Sequence, residues 1–151
     1  MFSPSSSFGS TNDNGVSRKF IDLLVEAING EATAIGFYAE ILTQVHGDQV
    51  AYDNVKHAYD DERKHFRQFS RLYMKLTGQE PRVRPKRVAY GSLREAYRLA
   101  FFDELEAQEL YNKMYLMAKD RKIRDIFYGA RNDESEHSQR FQYLYHREER
   151  K

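Results

Sequence analysis

The chain has 151 residues, 31% of them charged and 40% hydrophobic, with a formal net charge of +1 and no cysteine. That length suits one domain with a single core. The near-zero net charge excludes a whole-protein electrostatic footprint for nucleic acid or an anionic membrane. Without cysteine there are no disulfides, thiolate zinc sites or iron–sulfur clusters, so His, Asp and Glu are the available metal ligands.

Residues 1–16 are rich in Ser, Asn and Gly and are expected to form a mobile segment ahead of one domain over 17–151. Their start, Met1-Phe2-Ser3-Pro4, lacks the basic and apolar stretches of a signal peptide. No apolar run approaches the roughly 18 residues of a membrane span, so a cytoplasmic location is expected.

From Phe20 onward the apolar residues recur at spacings of three and four, the period of an amphipathic helix. The first stripe runs Phe20, Leu24, Ala27, Ile28, Glu31, Ala34, Ile35, Tyr38, Ile41 and Leu42. The second runs Tyr52, Val55, Tyr59, Glu62, His65, Phe69, Leu72 and Leu76. The third runs Leu93, Tyr97, Ala100, Phe101, Glu104, Tyr111, Met114 and Ala118, and the fourth Ile123, Phe127, Ala130, Glu134, His137, Phe141 and Leu144. His46-Gly47-Asp48 and Lys119-Asp120-Arg121 are short joints that make consecutive helices antiparallel. Between helices two and three, Thr77 to Gly91 contains Pro81 and Pro85, which forbid a continuous helix. Its length can carry the chain from one end of a bundle to the other. The predicted fold is all-α: an antiparallel four-helix bundle of two helical hairpins joined by one long crossover. Ser92 is the expected N-cap of helix three, with Glu95 completing a capping box.

Polar residues interrupt these stripes at matching places. Glu62-Arg63-Lys64-His65 and Glu134-Ser135-Glu136-His137 are both Glu-x-x-His, 72 positions apart. The same offset pairs Asp61 with Asp133, Phe69 with Phe141 and Tyr73 with Tyr145. Glu31 and Tyr38 recur as Glu104 and Tyr111 at an offset of 73. The chain therefore reads as two related hairpins, each supplying a Glu, a Tyr and a Glu-x-x-His. Within each motif the Glu and His lie one turn apart and can reach a common ion. A single Glu-x-x-His is an ordinary pair of solvated helix residues, but two on core-facing stripes with matched partners are not. Burying one unpaired carboxylate costs several kcal/mol, and no Lys or Arg lies on the inner stripes nearby. Two divalent ions, about +4, would offset four carboxylates of about −4.

One Glu from each of two helices and Glu-x-x-His from the other two is the pattern of di-iron carboxylate bundles. On these residues, over about positions 18 to 148, the sequence resembles the rubrerythrin and ferritin-like superfamily. The resemblance implies two iron ions, or manganese, with Glu62 and Glu134 bridging them. Glu31 and His65 would complete one ion, and Glu104 and His137 the other. It implies that Tyr38 and Tyr111 hydrogen-bond ligand carboxylates, and that Asp61 and Asp133 orient the His of the opposite hairpin. Core packing for the tyrosines and exposed helix acids for the aspartates are the plain alternatives. In helix three, Glu106 and Glu109 compete with Glu104, although only Glu104 keeps the stripe and the repeat offset; the position of an additional rubrerythrin glutamate falls on Ala107. His46, His57 and His146 have no repeat partners and read as surface residues. Arg82-Val83-Arg84-Pro85-Lys86-Arg87 reads as a solvated loop. The activity implied is a di-iron oxidoreductase of peroxide or oxygen, of peroxidase or ferroxidase type, with an external electron donor. Iron storage or a non-catalytic structural role is the alternative. Because helix four is followed directly by Lys151, without the fifth helix of cage-forming ferritins, a homodimer is expected.

Overall fold

A computed structural model describes residues 15–151, so the expected N-terminal segment lies almost wholly outside the described residues. Four helices follow one another: α1 (Arg18–Leu42), α2 (Gln49–Thr77), α3 (Leu93–Met117) and α4 (Arg121–Glu148). Each begins at a side chain that accepts a hydrogen bond from an otherwise free amide of the first turn: Ser17 from Phe20, Asp48 from Ala51, Ser92 from Glu95 and Asp120 from Ile123. The capping box at Ser92 takes an altered form. Glu95 reaches back to the amide of Gly91 at 2.8 Å, one residue before the cap. At the end of α2, Gly78 takes φ +71°, a left-handed conformation that stops the helix cleanly.

The helices stand at the corners of a square in which α1 packs on α2 and α3, and α4 on α2 and α3. The bundle is the expected two-hairpin arrangement. The crossover, residues 78–92, runs extended along α1. Arg84 N–H donates to Asn29 Oδ1 at 2.5 Å, Lys86 N–H to Thr33 Oγ1 at 2.9 Å, and Gln44 Nε2 to Tyr90 Oη at 2.6 Å.

Two apolar clusters fill the interior, one at each end. Phe20, Leu24, Phe69, Met114 and Phe127 belong to the first, and Ile41, Val55, Tyr97, Phe141 and Leu144 to the second. The stripes differ from expectation in detail. Ile35, Leu42, Tyr52, Tyr59 and Phe101 are only half-buried, while Phe37, Ala51 and Ala58 are buried instead. Neighbouring positions on an amphipathic face compete for the interior, and the larger apolar residue is not always the one turned inward. Between the two clusters lies a belt of polar residues.

Candidate metal centre

The belt is made by the residues that broke the apolar stripes. Glu31 comes from α1, Glu62 and His65 from α2, Glu104 from α3, and Glu134 and His137 from α4; none is more than 2% exposed. His65 Nδ1 stands 3.5 Å from Glu31 Oε1 and 3.3 Å from Glu134 Oε1. His137 Nδ1 stands 2.9 Å from Glu62 Oε1 and 3.5 Å from both Glu104 Oε2 and Glu134 Oε1. One donor atom from each of Glu31, Glu62, His65 and Glu134 falls within 4.8 Å of the others, and the same holds for Glu62, Glu104, Glu134 and His137. Glu62 and Glu134 belong to both groups. All six residues singled out as metal ligands therefore converge, whereas Glu106 and Glu109 are exposed on α3.

Each imidazole is held from behind by the aspartate of the opposite hairpin. His65 Nε2 lies 2.8 Å from Asp133 Oδ2, and His137 Nε2 lies 2.9 Å from Asp61 Oδ2. This fixes the ring so that Nδ1 faces the carboxylates. Lys64, on the outer face of α2, spans the two aspartates at 2.8 Å from Asp133 and 3.2 Å from Asp61. His57 is exposed, as the sequence implied, yet it also joins this network: its Nε2 is 3.3 Å from Asp61 Oδ2 and 3.4 Å from Glu136 Oε1. The signal was present in the spacing His57-x-x-x-Asp61, a full turn on one face. His46 and His146 are exposed as expected.

The tyrosines cross the bundle. Tyr38 of α1 donates to Glu104 Oε1 of α3, and Tyr111 of α3 donates to Glu31 Oε1 of α1. Each ring also packs on the phenylalanine one turn beyond a belt histidine, Tyr38 on Phe141 with centroids 4.9 Å apart and Tyr111 on Phe69 at 5.2 Å.

The electrostatics follow from burial. Desolvation pushes the carboxyls of Glu31, Glu104 and Glu134 above their ordinary range, and repulsion from neighbouring carboxylates adds to it. Burial also penalises Glu62, but the close approach of Glu31, His137 and His65 outweighs it and holds that carboxyl low. Burial works against charge on His65 and His137 too, yet the surrounding carboxylates win and push both imidazoles up. The metal-free belt thus holds protons that a cation would displace.

The donor set fits a metal pair. Ten buried side-chain N and O atoms among the described residues lack a hydrogen-bond partner, and six of them are in the belt: Glu31 Oε2, Glu62 Oε1, His65 Nδ1, Glu104 Oε2, Glu134 Oε1 and His137 Nδ1. Even the 2.9 Å approach of His137 Nδ1 to Glu62 Oε1 lacks hydrogen-bond alignment. Buried polar atoms are otherwise almost always satisfied, so six converging exceptions mark a place for something else. Carboxylate and imidazole donors in this mixture suit iron or manganese.

On the α1–α3 side the belt opens into a cavity of about 670 Å³. Ala34 and Ala107 sit at the seam, Glu31 and Glu104 form part of the floor, and the crossover supplies Arg84, Lys86 and Arg87 to the lining. No direct sign of this cavity is visible along the sequence, because it depends on the path of the crossover along α1. Among the described residues no helix is long and apolar enough to cross a membrane.

A rubrerythrin family model matches residues 22–145. An uncharacterized protein of Bacillus subtilis (strain 168), YhjR, is 31% identical over 120 residues, which span 80% of this chain and 82% of that one. In structure the chain is similar to the bacterioferritin of Desulfovibrio desulfuricans, with a TM-score of 0.74, covering 84% of this chain and 78% of that one. At 22% identity, that likeness concerns the fold. The bacterioferritin is described as having a diiron site in different catalytic states.

Proposed function

The chain belongs to the rubrerythrin family, and on that footing we propose that its buried belt holds two iron ions and works as a di-iron oxidoreductase of peroxide or dioxygen. The observation that carries this reading is the set of six unpartnered donor atoms, two of them on carboxylates common to both groups of four. Glu62 and Glu134 would bridge the ions, Glu31 and His65 would complete one, and Glu104 and His137 the other. A ferrous pair, when bound, supplies two electrons to an oxidant.

The residues around the belt have separate tasks. Asp133 and Asp61 hold the imidazole rings so that Nδ1 stays turned to the ions. Tyr38 and Tyr111 pin one oxygen of Glu104 and Glu31, leaving the other free to coordinate. The apolar clusters on either side keep water from the two ends of the belt. The oxidant would arrive through the α1–α3 cavity, because the α2–α4 side is taken up by the His–Asp pairs and Lys64. Reducing equivalents would come from an external donor, since these residues include no cysteine to hold a thiolate-ligated iron centre beside the belt.

Stopped-flow mixing of the ferrous-loaded protein with hydrogen peroxide, and separately with dioxygen, tests this. Oxidation of bound iron faster than that of free ferrous ion is expected with at least one oxidant. Equal rates with both would overturn the enzymatic reading. A large iron-filled assembly in sedimentation would instead favour storage.

A further inference from the structure

The α1–α3 cavity is larger than peroxide or dioxygen requires. Its volume of about 670 Å³ lies within the range of small-molecule sites, roughly 300–1,000 Å³, while a water molecule takes up only about 30 Å³ of liquid. Its walls carry opposite charge. On the crossover side stand Arg84 and Lys86, held in place through their backbone bonds to Asn29 and Thr33. On the α3 side stand Asp103 and Glu106. Among the described residues none of these four has an ion-pair partner, although Arg87 beside them pairs with Glu40 at 3.6 Å. Between the walls the floor is apolar at Ala34 and Ala107. It reaches down to Glu31 and Glu104, which are nearly fully buried and each keep an unpartnered oxygen.

We infer that this cavity binds a small organic zwitterion, with its acid group at Arg84 and Lys86, its ammonium at Asp103 and Glu106, and its carbon chain across Ala34 and Ala107. A solely anionic ligand would leave the acidic wall unanswered, and a metal ion or amine would leave the basic wall so. Opposite unpaired charges on facing walls are best met by a molecule that carries both, separated by several methylene groups. The ligand would lie directly above the belt, so the inference deepens the di-iron reading by naming the class of molecule brought to that centre. It rests on that reading only for the ligand's use. Binding by the walls does not need the metal.

The probe is 6-aminohexanoate, compared by calorimetry with hexanoate and hexylamine, on metal-loaded and metal-depleted protein in parallel. The zwitterion is expected to bind about tenfold or more tightly than either singly charged probe, as one additional charge-assisted bond allows. Arg84→Gln with Lys86→Gln should reduce its affinity to that of hexylamine, and Asp103→Asn with Glu106→Gln to that of hexanoate. Ala107→Leu should weaken all three probes, with an unchanged circular dichroism spectrum showing that the bundle is intact. Equal affinities for the three probes, or wall variants that bind the zwitterion as well as the parent does, would overturn the inference. A failure of the di-iron reading would show instead as an absence of bound metal, whatever the probes do.

Discussion

On the α2–α4 side of the belt, each imidazole is locked by an aspartate from the opposite hairpin, and Lys64 bonds both aspartates over the top. On the α1–α3 side, tyrosines restrain one oxygen of Glu31 and Glu104, but the seam carries the small residues Ala34 and Ala107 and lies against a cavity. The same internal repeat built both sides. What separates them is residue size and the route of the crossover. A metal pair held this way would be rigid from behind and reachable from the front, an arrangement suited to a reacting centre rather than a structural one.

The largest effects should come from the residues common to both groups. Glu62→Ala or Glu134→Ala should reduce binding from about two ions per chain to fewer than about one, because each removes a ligand from both ions. Titration with ferrous or manganous ion reads this directly. If each variant loses one ion and keeps the other at parental affinity, the bridging role is wrong. His65→Ala and His137→Ala should each weaken mainly one ion.

The rear wall comes next. Asp133→Asn and Asp61→Asn should each lower the affinity of one ion by roughly 10–100-fold, the usual consequence of losing a partner behind a ligating histidine. Ala107→Leu at the front should leave metal affinity unchanged but slow the oxidation of bound iron. An equal loss of metal affinity from front and rear variants would erase the distinction between the two sides.

The pH response divides along the same lines. In metal-free protein, Glu31, Glu104 and Glu134 have raised pKa values, so above about pH 4.5 the folded state binds protons that the unfolded chain has released. Stability then falls as pH rises through that window. His65 and His137, also raised, contribute stability that is fully present below about 6.5 and is lost as pH rises through their folded values. Glu62 has the opposite sign: its contribution is present above about 4.5 and is lost as pH falls through its lowered value. Three carboxyls and two imidazoles outweigh one carboxyl. Melting of metal-free protein should therefore move to lower temperature between about pH 5 and pH 8, while the rise produced by metal grows over that range. Thermal melts at four or five pH values, with and without manganese, check both halves. A metal-induced rise that does not change with pH would contradict the proton displacement.

The smallest effects belong to the tyrosines. Tyr38→Phe and Tyr111→Phe each delete one hydrogen bond to a buried carboxylate, and should cost about 1–3 kcal/mol in the metal-free protein and less with metal bound. Denaturant unfolding measures this.

The convergence of Glu31, Glu62, His65, Glu104, Glu134 and His137 was legible in the sequence, because helical periodicity and an internal repeat both constrain which residues face inward. The Asp61 and Asp133 partnerships were open at that level, as either residue would also suit an exposed helix surface, and the structure places both behind a histidine. Two features were not legible. Spacing along one helix says nothing about the register of α1 against α3, so the crossing of Tyr38 to Glu104 and of Tyr111 to Glu31 emerged only in three dimensions. The cavity was hidden for a similar reason. Residues 82–87 look like an ordinary charged loop until the bonds from Arg84 and Lys86 to α1 set them over the α1–α3 seam. His57 is exposed as its sequence reads, but the repeat carries no mark of its contact with Asp61, because its counterpart 72 positions on is Gly129.

The most direct test of the central claim is an anomalous difference map from crystals of the iron-loaded protein, collected at the iron edge. Two peaks are expected between Glu62 and Glu134, one bounded by Glu31 and His65 and the other by Glu104 and His137. No peak within the belt, or a single peak on the outer face at His57 and Asp61, would contradict it.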